Sequence, residues 1–159
     1  MGTFTRGAAL LGLVLFASCV APIQLPSEFA AQRASGGEFL AATADEAVLR
    51  VRDVDDPTMG SNAQFWVAAR RNDFVEQRGY VEVAKGEVAD SAGVMGQWIE
   101  FTANVRGERV EYLAAMWSRQ GGFLGLGSAY VQVVEFAARG AAYAARVEAV
   151  KAALMTVAK

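Results

Sequence analysis

The chain has 159 residues, 53% of them hydrophobic, and sets 15 Lys and Arg against 17 Asp and Glu for a formal net charge of −2. That length suits one domain with a single sizeable core, and the mild acidity offers no basic face for nucleic acid. There is no histidine and one cysteine, Cys19, which removes disulfides, histidine-dependent triads and the His/Cys sites that hold zinc and most transition metals.

The N-terminus carries one charge, Arg6, ahead of an apolar run from Ala8 to Ala17 that closes on Ser18-Cys19. A basic start, a short apolar core and small residues before a cut are the parts of a secretory signal. Phe16-Ala17-Ser18-Cys19 resembles the bacterial lipoprotein lipobox, Leu-Ala/Ser-Gly/Ala-Cys, with Phe16 where Leu is usual and Leu15 keeping the site apolar. The resemblance implies a signal peptide over 1–18, a lipidated Cys19 with a tether to residue 38, and one domain over 39–159. Without Met1 to Ser18, 141 residues remain, with 14 basic and 17 acidic side chains. Each acyl methylene buried in a bilayer adds about 0.8 kcal/mol, so two or more chains would hold the domain at the membrane. The stretch from Gly7 to Pro22 is shorter than the about 20 apolar residues that span a bilayer. Pro22 after Ala21 makes a poor ordinary cleavage site, and Arg6 sits where a myristoylation signal wants Ser or Thr. By analogy with lipoprotein sorting, Val20 in place of Asp after Cys19 favours an outer membrane, facing the periplasm.

Residues 20–38, with Pro22, Pro26 and Ser35-Gly36-Gly37, read as tether and lead-in. Val48 to Val54 alternates apolar and charged residues as a half-buried strand does, ending at the acidic turn before Pro57. Ser61 and Gln64 have capping-box spacing and Gly79 suits a C-cap, so 61–78 is expected to be a helix with one packed face. From Tyr80 the period becomes two. Strands are expected over 80–89, 94–105, 110–117 and 129–137, an antiparallel meander. Tyr143, Val147, Val150 and Leu154 then form one stripe of a closing helix. Strands in sequence with flanking helices argue for an α+β fold, an antiparallel meander packed against helices.

A two-residue turn near Gly107 places Ile99, Phe101, Ala103 and Val105 on one sheet face with Val110, Tyr112, Ala114 and Met116. That apolar face is expected to lie under the closing helix. The opposite face carries Trp98, Glu100, Thr102, Asn104, Glu111, Leu113 and Trp117. Trp98 and Trp117 there suggest either a binding platform for an envelope protein or small ligand, or ordinary packing beneath the 61–78 helix or the lead-in segment, with packing the more economical.

The glycine-rich stretch Gly121 to Ser128 fails both phosphate-loop patterns: Tyr130 occupies the third Gly position of a dinucleotide fingerprint, and no Lys follows for a Walker loop. It reads as a flexible loop, or as an apolar tip carrying Phe123 and Leu124 to a membrane or partner. Counting from Asp53, Thr58 and Gln64 stand where a calcium loop needs Gly and Glu. Glu100 and Glu111 share a face and form the one carboxylate pair worth weighing as an acid/base couple. Arg70-Arg71 lies mid-helix and does not define an anion site.

An early strand, a helix, a long meander with a Gly-rich connection and a C-terminal helix after Val133-Val134-Glu135-Phe136 resemble the PsbP-like α/β/α sandwich, over about residues 22–157. The resemblance implies an accessory or binding subunit with no catalytic residue and no cofactor. The expected function is therefore a lipid-anchored, non-catalytic accessory protein of the cell envelope. The alternative is an envelope hydrolase or lipid-handling enzyme using Glu100 and Glu111 or the apolar loop.

Overall fold

The computed structural model describes residues 21–33, 38–57, 62–120 and 128–158. Among these, seven strands form one sheet in the order β1-β2-β3-β7-β6-β5-β4, with every neighbouring pair antiparallel. The strands are β1 (Ala30–Arg33), β2 (Phe39–Ala42), β3 (Val48–Asp55), β4 (Val81–Ala89), β5 (Met95–Val105), β6 (Glu108–Gln120) and β7 (Ala129–Arg139). Helix α1 (Ala63–Asn72) runs on into a π-turn over Asp73–Gln77 and covers one face; α2 (Gly140–Ala144) and α3 (Val147–Leu154) cover the other. No helix among the described residues is long and apolar enough to cross a membrane.

The α+β meander thus follows the sequence pattern. The β5–β6 hairpin turns at Arg106-Gly107, with φ of 54° and 85°, so that Val105 faces Glu108 and Ile99 faces Ala114. Two consecutive positive φ values make this a type I′ connection, whose twist matches the flanking strands. Ile99, Phe101, Ala114 and Met116 share a face as expected, joined there by Val131 and Val133 of β7.

The cover on that face differs from expectation. Val67 of α1 and Phe74 of the π-turn pack on it, and Tyr143, Val150 and Leu154 pack on the opposite face with Leu113, Ala115, Trp117, Val134 and Phe136. Connection length explains the exchange. β7 passes straight into α2 through Gly140 (φ 37°), and Tyr143 stacks on Phe136, ring centroids 5.0 Å apart. The closing helices are thereby committed to the face that Phe136 occupies. α1, leaving β3 for the far edge strand β4, crosses the other.

The segment read as a tether is part of the packed body from residue 21. Ile23 and Phe29 are buried, Ala30–Arg33 pairs with Phe39–Ala42, and Phe29 meets Phe136 edge-on at 6.1 Å. The lead-in and C-terminal segments also bind each other: the Ala158 amide donates to the Pro22 carbonyl at 2.9 Å and the Gln24 amide to Thr156 Oγ1 at 2.9 Å. Helix α1 is capped by Asn62, whose side chain accepts from the Phe65 amide at 2.9 Å, in place of the expected Ser61, which lies outside the described residues.

Candidate functional site

Each tryptophan of the expected platform lies against a glycine on the neighbouring strand. Trp117 has no solvent exposure, and a Cβ on Gly96 would lie 2.5 Å from its Nε1. Trp98 is half-buried; a Cβ on Gly86 would lie 2.7 Å from its ring, and Lys151 Nζ stands 4.5 Å from the ring centroid. Trp117 is therefore core, roofed by the closing helices and the lead-in segment, so of the two readings open for it packing holds and the exposed platform does not, the closing helices sharing the cover in place of the 61–78 helix. Leu113, Ala115 and Trp117 complete an apolar patch with β7 residues that the hairpin alone does not reveal. Phe123, Leu124 and Cys19 lie outside the described residues.

Glu100 and Glu111 are both buried beside that patch. The Tyr143 hydroxyl donates to Glu100 Oε2 at 3.0 Å, Lys151 Nζ lies 2.6 Å from Oε1, and Arg109 Nε lies 2.6 Å from Glu111 Oε1. Burial first, then the neighbouring Glu100, raises the pKa of the Tyr143 phenol. Burial acts to lower the Lys151 pKa, but the bond and charge of Glu100 outweigh it and leave it raised. The two Glu100 contacts clamp α2 and α3 to β5, while Arg109 and Glu111 pair within β6. Both Glu100 oxygens face donors of the closing helices, an arrangement that locks the carboxylate in place.

A different polar constellation forms on the α1 face. Arg50 and Arg52 lie two apart on β3 and so point the same way, and Glu135 of β7 pairs directly opposite Arg50. Tyr112 of β6 and Arg70 of α1 complete the ring. The Tyr112 hydroxyl donates to Glu135 Oε1 at 2.5 Å, Arg52 Nε to Oε2 and Nη2 to Oε1 at 3.3 Å each, and Arg70 Nη2 lies 3.1 Å from Oε1. Arg50 Nη1 approaches Oε2 at 3.8 Å. Burial pushes the Glu135 carboxyl upward, but the Tyr112 hydroxyl and the Arg52 and Arg70 guanidinia overcome this and hold it below the usual range. The Tyr112 phenol is raised, by burial first and then by Glu135.

Two adjacent grooves that share the side chains of Arg52 and Arg70 flank this cluster and together form a trough. The cationic part, about 340 Å³, is lined by Arg50, Arg52, Arg70, Arg78, Tyr112 and Glu135, with Phe74 and β-strand positions Val48 and Ala137. Phe74 stacks on Tyr112 at 4.6 Å, and Arg70 and Arg78 stand 5.6 and 4.9 Å from its ring centroid. The second part, about 230 Å³, shares Arg52 and Arg70 with the first and is otherwise lined by Val54, Trp66, Ala69, Asp73, Met116 and Val133. A further groove of about 350 Å³ lies between α1 and β4 and includes Trp98, but its cations Arg71 and Lys85 pair with Glu82 at 2.7 and 3.6 Å. The trough is thus the better candidate, because its guanidinia share one buried carboxylate. Among the described residues no group of three or more Asp, Glu, His or Cys gathers in a way that could hold a metal.

Sequence reasoning passed over this site. Its signals were a lone Glu135 inside the otherwise apolar run Val133-Val134-Glu135-Phe136 and two arginines in step on β3. Arg70, mid-helix and undistinguished in the sequence, acquires meaning only because α1, packed over β5 and β6, brings its guanidinium within reach of Glu135 on β7.

No protein-family model matches the chain, and no curated protein matches it. Among solved structures, it is similar to LpqN, described as involved in cell envelope biogenesis of Mycobacterium tuberculosis, with a TM-score of 0.65 at 7% identity, covering 86% of this chain and 82% of that one. At that identity the similarity concerns the fold.

Proposed function

We propose that the protein is a lipid-anchored, non-catalytic binding subunit of the cell envelope, and that the arginine-lined trough is its working surface. The observation that carries the reading is the convergence of Arg50, Arg52 and Arg70 on the single buried carboxylate of Glu135 at the mouth of a groove. Buried charge of this kind is weak support for stability, since a well-packed apolar replacement is often as good; a recognition role accounts for its cost. Membrane attachment rests on the lipobox-like Phe16 to Cys19. An envelope setting agrees with the fold shared with LpqN, a protein involved in cell envelope biogenesis. Kinship with PsbP-like accessory subunits is supported by helices on both faces of an antiparallel sheet. A non-catalytic role fits Glu100 and Glu111, whose carboxylates are engaged by Tyr143, Lys151 and Arg109.

A photo-crosslinking amino acid placed at exposed Ala69 on the trough rim, and separately at exposed Ala152 on α3, tests the surface in the membrane-bound chain. Adducts from position 69 and none from 152 are expected. Adducts confined to 152 would move the working surface to the other face.

A further inference from the structure

We infer that the trough takes an anionic amphiphile, with a carboxylate or phosphate head among the arginines and an apolar chain along the second part. This deepens, and rests on, the reading of the trough as the working surface. The charge balance gives the head. Four guanidinia face the cationic part, and Glu135 is the one carboxylate buried with them. Glu38 and Asp73 answer Arg50 and Arg78 at 3.8 and 2.8 Å, but those are exposed pairs that solvent and salt weaken. Each guanidinium has five N–H donors, far more than the two oxygens of Glu135 can accept. Glu135 therefore fixes the arginines in position without exhausting them, and a bidentate anion matches the donors left over.

The change of polarity gives the tail. Beyond Arg52 and Arg70 the lining turns to Val54, Trp66, Ala69, Met116 and Val133, with Asp73, itself paired to Arg78, as its one acid, and a bare anion would leave those apolar side chains unused. A neutral apolar molecule would in turn desolvate the arginines without replacing their hydrogen bonds. Size agrees: small-molecule sites usually span about 300–1,000 Å³, so the apolar part at about 230 Å³ is too small alone and sufficient as an extension of the cationic part at about 340 Å³.

The test is calorimetric titration of the full chain at low ionic strength with monomeric octyl phosphate, ethyl phosphate and octyl glucoside. Octyl phosphate is expected to bind about tenfold or more tighter than ethyl phosphate, through the added methylenes, and octyl glucoside not at all. Arg50 and Arg78 lie at the solvent edge, so Arg50→Gln/Arg78→Gln removes the long Arg50 approach to Glu135 but keeps the Tyr112, Arg52 and Arg70 contacts that hold it, and is expected to weaken octyl phosphate about tenfold. If that pair lowers the thermal midpoint, Arg78→Gln alone carries the comparison. Competition by dioleoyl phosphatidylglycerol vesicles would identify a bilayer lipid as the source; octyl phosphate binding without such competition would identify a soluble one. Equal binding of ethyl and octyl phosphate overturns the amphiphile, as does octyl glucoside binding as tightly as octyl phosphate. If neither phosphate binds, the inference fails, and the Ala69 crosslinks separate the two claims: adducts there leave the trough as working surface, and their absence removes both.

Discussion

At the scale of single residues, buried charges are placed where packing alone would not require them. Besides Glu135, Asp90 is buried against Arg119: Oδ2 meets Arg119 Nη1, while Oδ1 accepts the Ala92 and Val94 amides at 2.9 and 2.8 Å. Arg119 also donates to Gln132 Oε1 from Nε and Nη2 at 3.1 and 2.7 Å, and Gln132 Nε2 donates to the Ala158 carbonyl at 3.0 Å. This chain of bonds ties the β4–β5 turn and the C-terminal segment to the sheet centre. Burial raises the Asp90 pKa, but the Arg119 bond and the two amides prevail and leave it lowered. A carboxyl with a depressed folded pKa stabilises fully above its unfolded value, about 3.9, and loses that contribution as pH falls through the folded value. Urea unfolding of Asp90→Asn is therefore expected to show lower stability at pH 7 and a shallower loss of stability below about pH 4. An acid limb as steep as that of the parent chain would contradict the assignment. None of this is visible in the sequence, where Asp90 falls in the turn between two expected strands and Arg119 lies beyond the end of the strand expected over 110–117.

At the scale of elements, the sequence was most informative where period-two alternation ran long. β3 to β7 are found within a few residues of their expected bounds, and the β5–β6 register follows from Gly107. β1 and β2 escaped because four-residue strands such as Ala30–Arg33 and Phe39–Ala42 are too short to display a period and rich in alanine, which is depleted in strands. The exchange of helices between faces has another origin. Alternation tells which residues share a face but not which helix covers it, and here both faces are apolar at the sheet centre. Leu154 on α3 is fully buried against the Trp117 and Phe136 side. Leu154→Ala is expected to cost about 2–5 kcal/mol in chemical unfolding. A loss below about 1 kcal/mol would mean that α3 is not the cover of that face.

At the scale of the whole molecule, the two layers of helix serve different ends. The α2–α3 side joins the lead-in and C-terminal segments into one closed core, whereas the α1 side leaves the sheet open beside β3, and the trough occupies that opening. If Cys19 carries the membrane anchor, the folded body begins within two residues of it, because residues from Ala21 on are already placed against the core. The domain then sits close to the bilayer rather than on a long leader. Cys19→Ala is expected to move the chain from the membrane to the soluble fraction, checked by fractionation, with unchanged membrane retention pointing to another mode of attachment. This division of labour between the two faces can be checked by amide NMR shift mapping of the isotope-labelled full chain against a detergent-free extract of its own envelope. Perturbations are expected at Arg52, Arg70, Phe74 and Tyr112. Shifts confined to the surroundings of Trp98 and Lys151, with the trough unchanged, would contradict the claim.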